Sequence, residues 1–333
     1  MNMTRHGIAP VCATSLLLCA LLLAAPLQAA QPEAQNYPQR PIRLIDPYAP
    51  GGGSGVVARL VGVKLSEAWG RQVVVDNRPG ASGAIGTELA MRALPDGHTL
   101  VMGTSGSIAI SPHMNKLPYD PVRDFAPITQ TSGQAMLLVL HPSLAVNSVK
   151  ELIALAQAQP GKLTYASSGS GGSGHLAAEL FQSMTRIRMI HVPYKGSGPA
   201  VQAVVGGESQ ISFNNILAVL PHVNGGRLKA IAATSAKRAP AVPNLPTLAE
   251  SGIPGYEAMS WNGMFAPAKT PRTIITKIHA EVVRALNSPD VRDRLVAMGS
   301  DPVGSTPEQF GAYVRSEVAR WGQVIRDNSI RGE

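Results

Sequence analysis

The chain has 333 residues, a length typical of two domains, and its 44% hydrophobic and 15% charged residues exclude a disordered protein. Its formal net charge of +8 is compatible with a nucleic acid or an acidic ligand as partner. Two cysteines are too few for a disulfide scaffold or a cysteine-rich metal site.

The first 30 residues differ in character from the rest of the chain. Arg5 precedes the apolar run 8–27, and small residues follow this run. A basic start, an apolar middle and small residues at the end are typical of a secretory signal peptide. We predict a signal peptide at residues 1–30, cleaved after Ala29 or Ala30, and hence a periplasmic protein. An uncleaved membrane anchor is the alternative.

Cleavage of this segment changes what the cysteines and the charge imply. Cys12 and Cys19 both lie inside the segment, so the mature chain has no cysteine for disulfides, redox chemistry or metal binding. A lipid anchor on Cys19 is disfavoured because Leu18, rather than a small residue, precedes it. The mature charge is +7, from 28 basic against 21 acidic residues. No second run of about 18 apolar residues follows, so we expect a soluble mature chain.

Short extended runs alternate with helical patterns in the first part of the mature chain. Val57, Leu60, Val61 and Leu65 recur at the spacing that predicts a helix. An alternation of strands and helices predicts a parallel sheet covered by helices on both faces. In chain order we predict a strand at 41–48, a Gly-rich turn at 51–55, a helix at 56–69, a strand at 72–76, a turn at 77–80, a helix at 84–93 and a strand at 99–104.

A second set of elements follows. Ser148 with Glu151 three residues later predicts a capping box, and Pro271, Pro289 and Pro307 each follow Ser or Thr as helix starts do. Long extended segments at 126–140 and 254–268 predict two crossings between two α/β domains, with a cleft between them. The other predictions are strands at 135–140, 163–167, 189–194, 210–213 and 229–234, helices at 148–158 and 175–184, a Pro-rich stretch at 240–254, an extended segment at 256–266 and C-terminal helices.

Three Gly-rich loops lie between a predicted strand and a helix, at 49–55, 103–107 and 167–174. Glycine lets the backbone approach a ligand closely, and the helix that follows offers free N–H groups with a partial positive charge. Such a loop binds a carboxylate or phosphate without a charged side chain. The structural alternative is that Gly and Ser serve only as turn residues. Three loops of this kind favour an anion site at the carboxyl ends of the strands.

Two of the loops also match dinucleotide patterns. Residues 53–58 fit G-x-G-x-x-A with Asp76 at the end of the next strand, and residues 169–174 fit G-x-G-x-x-G. An exported dinucleotide-dependent oxidoreductase is therefore the enzyme alternative. Against it, the strand after the second motif ends without an acid, and export removes the protein from the cytosolic nicotinamide pool.

Other site patterns are absent from the sequence. There is no G-x-S-x-G elbow, no P-loop and no pair of histidines at metal-ligand spacing, so we predict no catalytic residue, no metal and no cofactor. The basic residues are dispersed, so nucleic acid is not indicated. His175, at the start of the helix after the third loop, could donate to a ligand or bind its own loop.

The order of these blocks resembles the Bug-type extracytoplasmic solute receptors of tripartite tricarboxylate transporters. The resemblance covers nearly the whole mature chain and is specific to the family, though to no particular ligand. The blocks that carry it are YPQRPIRL at 37–44, YAPGGGS at 48–54, VDNRPGA at 75–81, PDGHTL at 95–100, LPYDP at 117–121, DFAP at 124–127, PGKLTYASSG at 160–169, HVPYKG at 191–196, TSAKR at 234–238, PT at 246–247 and PGY at 254–256.

The resemblance implies a type II periplasmic-binding-protein fold of class α/β, with two lobes that each have a central sheet flanked by helices. The expected lobes are 37–136 plus 257–333, and 137–256, joined by two crossings. It also implies a monomer that captures a small carboxylate between the lobes, largely through backbone groups and bridging waters, and delivers it to membrane permease subunits. A sensor that presents the ligand to a signalling partner is a further alternative.

The family's contacts carry over onto matching positions of this chain. Trp261, in the returning crossing, is either a wall of the pocket or part of the hinge packing. The expected ligand-binding residues are Tyr48, Ala49, Pro50, Gly51, Gly52, Gly53, Ser54, Gly55, Thr104, Ser105, Gly106, Ser107, Ser168, Gly169, Ser173, Gly174, His175, Phe213, Asn214 and Trp261.

Two positions depart from the family pattern. Gly55 and Asn214 each stand where the family often has an aspartate. A buried carboxylate at either position could pair with a ligand ammonium group or repel a second ligand carboxylate. Its absence predicts a plain carboxylate ligand rather than an amino acid.

Overall fold

The computed structural model describes residues 1–3 and 36–330. Pro38–Glu333 forms one compact unit, and the elements below belong to it. The predicted signal peptide lies outside the described residues, apart from its first three. Among the described residues, no helix is both long and apolar enough to cross a membrane.

The strands agree closely with the predicted extended runs, although several are longer or shorter by a few residues. The fourth covers the whole extended segment predicted at 126–140, of which only 135–140 was predicted as a strand, and the tenth was not predicted. The described strands are β1 (Ile42–Asp46), β2 (Val73–Asn77), β3 (Thr99–Thr104), β4 (Phe125–Leu140), β5 (Thr164–Ser167), β6 (Ile190–Pro193), β7 (Ile211–Asn215), β8 (Lys229–Ala233), β9 (Met259–Pro267) and β10 (Ser300–Pro302).

The helices follow most of these strands directly. A 3₁₀ turn at Ala81–Gly83 and a π-helical turn at Ser105–Ile110 join the set. The α-helices are α1 (Gly53–Trp69), α2 (Ala84–Met91), α3 (Ser111–Met114), α4 (Val149–Ala158), α5 (Ser173–Thr185), α6 (Ser197–Val205), α7 (Ile216–Asn224), α8 (Arg272–Asn287), α9 (Pro289–Ala297) and α10 (Pro307–Asp327).

The ten described strands form one mixed sheet in the order β2-β1-β3-β9-β4-β7-β5-β6, with β8 and β10 also paired to β4. β1 lies parallel to β2 and β3, and β5 lies parallel to β6 and β7, as the strand–helix alternation predicted. β4 and β9 run antiparallel to their neighbours, which this alternation did not predict.

The two predicted crossings contain the paired strands β4 and β9. β4 pairs with β9 from Phe125 to Ala135 and with β7 from Met136 to Leu140. The change of partner halfway along β4 brings the β1–β2–β3 group and the β5–β6–β7 group to either end of the same strand. Apolar side chains bury both ends, with Phe265, Phe310 and Phe213 among the largest in the core.

The helix starts differ in detail from the predictions. α1 begins at Gly53, so residues 53–55 of the predicted turn are helical. Ser148 accepts a hydrogen bond from the Glu151 N–H, but the Glu151 carboxylate accepts from the backbone N–H of residue 147 and the predicted box is only half formed. Thr306 makes the full capping box, and Pro271 rather than Thr270 occupies the N-cap of α8.

Candidate functional site

Five strands lead into a helical turn at their carboxyl ends, and these five junctions meet at one cavity. β1 leads to α1, β3 to the π-helical turn, β5 to α5, β6 to α6 and β7 to α7. None of the residues that line the cavity has a charged side chain at neutral pH. The lining residues are Tyr48, Gly52, Gly53, Ser54, Thr104, Ser168, Ser173, Ser197, Asn215, Ser260 and Asn262.

The cavity is small and polar. Its volume is about 370 Å³ including the open mouth, and hydroxyl, amide and backbone groups line it. The space therefore suits a compact ligand of a few polar groups.

Three of the helices that start at the cavity are left without a side-chain cap. The N-caps of α1, α5 and α6 are Gly52, Gly172 and Gly196, none of these helices has a side-chain cap, and no acidic residue lies in their first turns. Ser148 and Thr306 cap the starts of α4 and α10, which do not line the cavity. The first backbone N–H groups of α1, α5 and α6 are thus open to a ligand, and the helix dipoles favour an anion there.

Glycine is required where these helix starts approach other backbone. A Cβ at Gly198, in the first turn of α6, would lie 2.2 Å from the Pro50 carbonyl oxygen. A Cβ at Gly174, in the first turn of α5, would lie 2.3 Å from the Phe213 carbonyl oxygen. No side chain fits at such distances, so these glycines set the close packing around the cavity.

Hydrogen bonds join the loops on the two sides of the cavity. The Ala49 N–H donates to the Lys195 carbonyl at 2.9 Å. Ser82 Oγ donates to the Ser170 carbonyl, and Asn115 Nδ2 donates to the same oxygen at 3.3 Å. These contacts hold the loops after β1, β2 and α3 against those after β5 and β6.

Asp46 ends β1 and lies fully buried behind the start of α1. Its Oδ1 accepts a hydrogen bond from Ser54 Oγ, and its Oδ2 accepts one from Asn77 Nδ2, both at 2.9 Å. Burial is the largest influence and raises the pKa of Asp46 to about 6, although Ser54, the positive charge of Arg59 and Asn77 all favour the ionised form. A carboxylate therefore lies close to Gly55, but it does not line the cavity.

The raised pKa of Asp46 predicts a specific pH dependence of stability. The pKa of Asp46 is about 6 in the folded state and near 4 in the unfolded state. The ionised carboxyl therefore lowers the stability of the fold above pH 6, and the wild type regains this stability as the pH falls toward 4. Asp46→Asn cannot ionise, so its free energy of unfolding relative to wild type should fall by about 2 kcal/mol from pH 8 to pH 4.5. Denaturant titrations at both pH values measure this. Asp301→Asn, at an exposed position, is the matched control and should show no such change between the two pH values. If Asp46→Asn instead becomes more stable relative to wild type as the pH falls, the account is contradicted.

The structure brings most of the predicted ligand-binding residues to this cavity or directly beside it. Tyr48, Gly52, Gly53, Ser54, Thr104, Ser168 and Ser173 line it. The remaining members of the three predicted loops are neighbours of these in the chain and are not themselves lining residues: Ala49, Pro50, Gly51, Gly55, Ser105, Gly106, Ser107, Gly169 and Gly174.

Four predicted residues point elsewhere. His175 is buried and its Nδ1 accepts from the Gly171 N–H at 3.0 Å, which is the loop-binding alternative. Phe213 packs on Phe181, and the Asn214 carbonyl oxygen Oδ1 accepts from the next backbone N–H. Trp261 lies on the opposite face of β9 from residues 260 and 262, where it donates to Glu317, so its side chain packs in the core and is not a cavity wall.

Four lining residues were not predicted. Ser197 opens α6 after the HVPYKG block, and Gly196 and Gly198 on either side of it are a signal that could have identified this fourth strand-to-helix junction. Asn215 follows the predicted residues 213–214 by one position. Ser260 and Asn262 alternate with Trp261 on β9, so the period of two in a strand is the signal that could have identified them.

The sequence and the fold of this chain are similar to those of known proteins. The model of the tripartite tricarboxylate transporter family receptor matches residues 57–330. BugT of Bordetella pertussis is 36% identical over 333 residues, covering 99% of each chain. The structure of R. palustris Rpa4515 with adipate is 36% identical with a TM-score of 0.86, covering 89% of this chain and 99% of that chain. MatC from Rhodopseudomonas palustris with bound malate is 31% identical with a TM-score of 0.84, covering 87% and 100%.

The same α/β fold is present in BugD, a periplasmic binding protein, with a TM-score of 0.86 at 30% identity. The predicted family and the predicted fold class are therefore both confirmed. With more than four fifths of its residues matched by the family model, this chain belongs to the tripartite tricarboxylate transporter receptor family.

Proposed function

We propose that the protein captures a small carboxylate in the cavity between its two groups of strands. The observation that carries the proposal is the meeting of three helix starts without side-chain caps, those of α1, α5 and α6, at one cavity without charged lining residues. Free N–H groups and helix dipoles stabilise an anion there without a lysine or arginine. The ligands of two structural neighbours, adipate and malate, are both carboxylates.

We further propose that the protein is exported and passes its ligand to membrane permease subunits as a monomer. The family and the signal-peptide pattern of residues 1–30 support this. The proposed lobes remain 37–136 plus 257–333, and 137–256, so the chain passes between them within β4 and again just before β9. Ligand binding favours the closed arrangement because only that arrangement presents all three helix starts at once.

We propose that the protein is a receptor rather than a dinucleotide-dependent enzyme. A dinucleotide site of this pattern needs Asp76 to bind a ribose hydroxyl. The Asp76 carboxylate is already paired with Arg43 at 2.5 Å and with Arg78 at 3.0 Å. Partial burial raises the pKa of Asp76, but the two arginines outweigh it and hold the pKa below its usual value. Both arginines bind Oδ2, so one of the two carboxylate oxygens is already engaged by the protein.

A thermal-shift screen tests the proposed function. Mono-, di-, tri- and aromatic carboxylates are compared with their amides and with NAD and NADP. We expect at least one carboxylate to raise the melting temperature by several degrees, because a ligand at 100 times its Kd adds about 2.7 kcal/mol of stability. The matched amide and the dinucleotides should have no effect. Stabilisation by NAD or NADP, with none by any carboxylate, would contradict the proposal.

A further inference from the structure

The hydroxyl groups on the two walls of the cavity differ in whether they can donate a hydrogen bond to a ligand or only accept one. One wall carries Tyr48, Ser54 and Thr104, and the other carries Ser168, Ser173 and Ser197. A hydroxyl has one proton to donate, so a proton already bound within the protein leaves only its oxygen lone pairs for a ligand. The direction in which each proton is donated therefore determines which ligand groups the wall can bind.

Ser54 shows this most clearly. Its Oγ lies 2.9 Å from Asp46 Oδ1, and an ionised carboxylate can only accept. Burial raises the pKa of Asp46 to about 6, so its carboxyl is still mostly ionised at neutral pH, and Asn77 Nδ2 donates to its other oxygen. The Ser54 proton is thus directed away from the cavity, and its lone pairs stay free to accept a hydrogen bond.

Tyr48 and Thr104 follow the same rule. Tyr48 Oη lies 3.1 Å from the Ser82 carbonyl oxygen, which can only accept, so the phenol proton is donated there. Thr104 Oγ1 accepts from the Ser107 N–H at 3.2 Å and can donate to Tyr48 Oη at 3.1 Å or to Ser107 Oγ at 3.3 Å. The Ser54 and Tyr48 protons are thus bound within the protein, and Thr104 has two protein acceptors for its own proton.

The opposite wall has donors to offer. Within the part of the chain that the structure describes, the hydroxyls of Ser168, Ser173 and Ser197 bind no other protein group. Ser173 and Ser197 also begin α5 and α6, so free backbone N–H groups lie beside their hydroxyls. This wall suits an acceptor such as a carboxylate.

A plain carboxylate has no proton to give to the first wall. We infer that the ligand is a hydroxycarboxylate whose hydroxyl donates to Ser54 Oγ, with Asp46 as the residue that fixes Ser54 as an acceptor. This inference rests on the proposed function and narrows its ligand class. Ser54 also lies in the uncapped first turn of α1, so its N–H can bind a carboxylate oxygen next to the hydroxyl. The expected ligand is therefore a 2-hydroxy acid.

Calorimetric titration of the mature protein with matched pairs tests this inference. The pairs are malate with succinate, citrate with tricarballylate, lactate with propionate, and mandelate with phenylacetate, with both enantiomers of each chiral acid. In the pair that binds, the hydroxylated member should bind at least about tenfold more tightly. This is the effect expected of one hydrogen bond, because without it the Ser54 oxygen has no donor from the ligand. Ser54→Ala should reduce this ratio toward one.

Two further variants keep the test decisive. Ser173→Ala, on the donor wall, should weaken both members of a pair alike and leave their ratio unchanged. Asp46→Asn replaces the carboxylate that fixes Ser54 as an acceptor with an amide that can donate to Ser54 Oγ, so it should also lower the ratio, even where Ser54→Ala does not fold. Equal binding of both members by the wild type, or an unchanged ratio in Ser54→Ala and Asp46→Asn, would overturn the inference, while the proposal of a carboxylate receptor would stand. Failure of every acid to bind the wild type would instead contradict the proposed function.

Discussion

Gly198→Ala is expected to weaken carboxylate binding at least about 100-fold, which corresponds to about 2.7 kcal/mol. The added Cβ would lie 2.2 Å from the Pro50 carbonyl oxygen and 3.1 Å from the Gly51 backbone. Both neighbours are main-chain atoms, so the start of α6 must move away from the loop before α1. That movement separates helix starts that must act together on one anion. Calorimetric titration with the carboxylate found in the thermal-shift screen measures the loss.

Gly62→Ala is the matched control for this substitution. Its Cβ would lie 3.6 Å from the nearest side-chain atoms, at Val73 and Val75, which is ordinary contact. In the interior of α1 it should leave the Kd unchanged and stabilise the helix by about 0.5–1 kcal/mol. If Gly198→Ala also keeps wild-type affinity, the close approach of α6 to the α1 loop is not needed for binding.

Glu317→Leu is expected to have the largest effect on stability, a loss of about 2–4 kcal/mol. Glu317, on α10, is buried, and its Oε2 accepts from the indole N–H groups of Trp261 and Trp321, both at 3.1 Å. Leucine leaves two buried donors unpaired, at about 1–3 kcal/mol each, and the relief of burying a charge offsets part of this. Denaturant unfolding of the variant and the wild type measures the difference.

Glu317→Gln separates the loss of the acceptor from the loss of the charge. One amide oxygen in place of Oε2 can still accept from both indoles, because an sp² oxygen has two lone pairs. The pairing with Arg320 at 3.2 Å is lost, which costs about 1 kcal/mol or less at this half-exposed position. Equal losses in the two variants would show that the charge, and not the indole acceptor, stabilises this part of the core.

The local features of the fold could be predicted because they depend on local chemistry. Residues 99–104 form a strand as predicted, and the Gly-rich segments end at helices because glycine allows the tight turns there. The antiparallel insertion of β4 and β9 was not predicted, because pairing between segments more than 100 residues apart leaves no periodic trace in either.

The candidate site was predicted where the backbone forms it and was missed where side chains from distant strands complete it. Thr104 and Ser168 lie in Gly-rich loops that the sequence marks plainly. Ser260 and Asn262 reach the cavity only because β9 lies beside β3, and the same register turns Trp261 toward α10. The sequence thus predicted Trp261 as a ligand-binding residue and missed its two polar neighbours, Ser260 and Asn262.

The position of the bound carboxylate in a crystal structure tests the central claim most directly. The mature protein would be crystallised with the acid that gives the largest thermal shift. The account predicts carboxylate oxygens about 3 Å from backbone N–H groups at the starts of α1, α5 and α6, with no lysine or arginine in contact. A carboxylate bound instead by Lys116 and Lys195, in the neighbouring cavity that these two residues line, would contradict it.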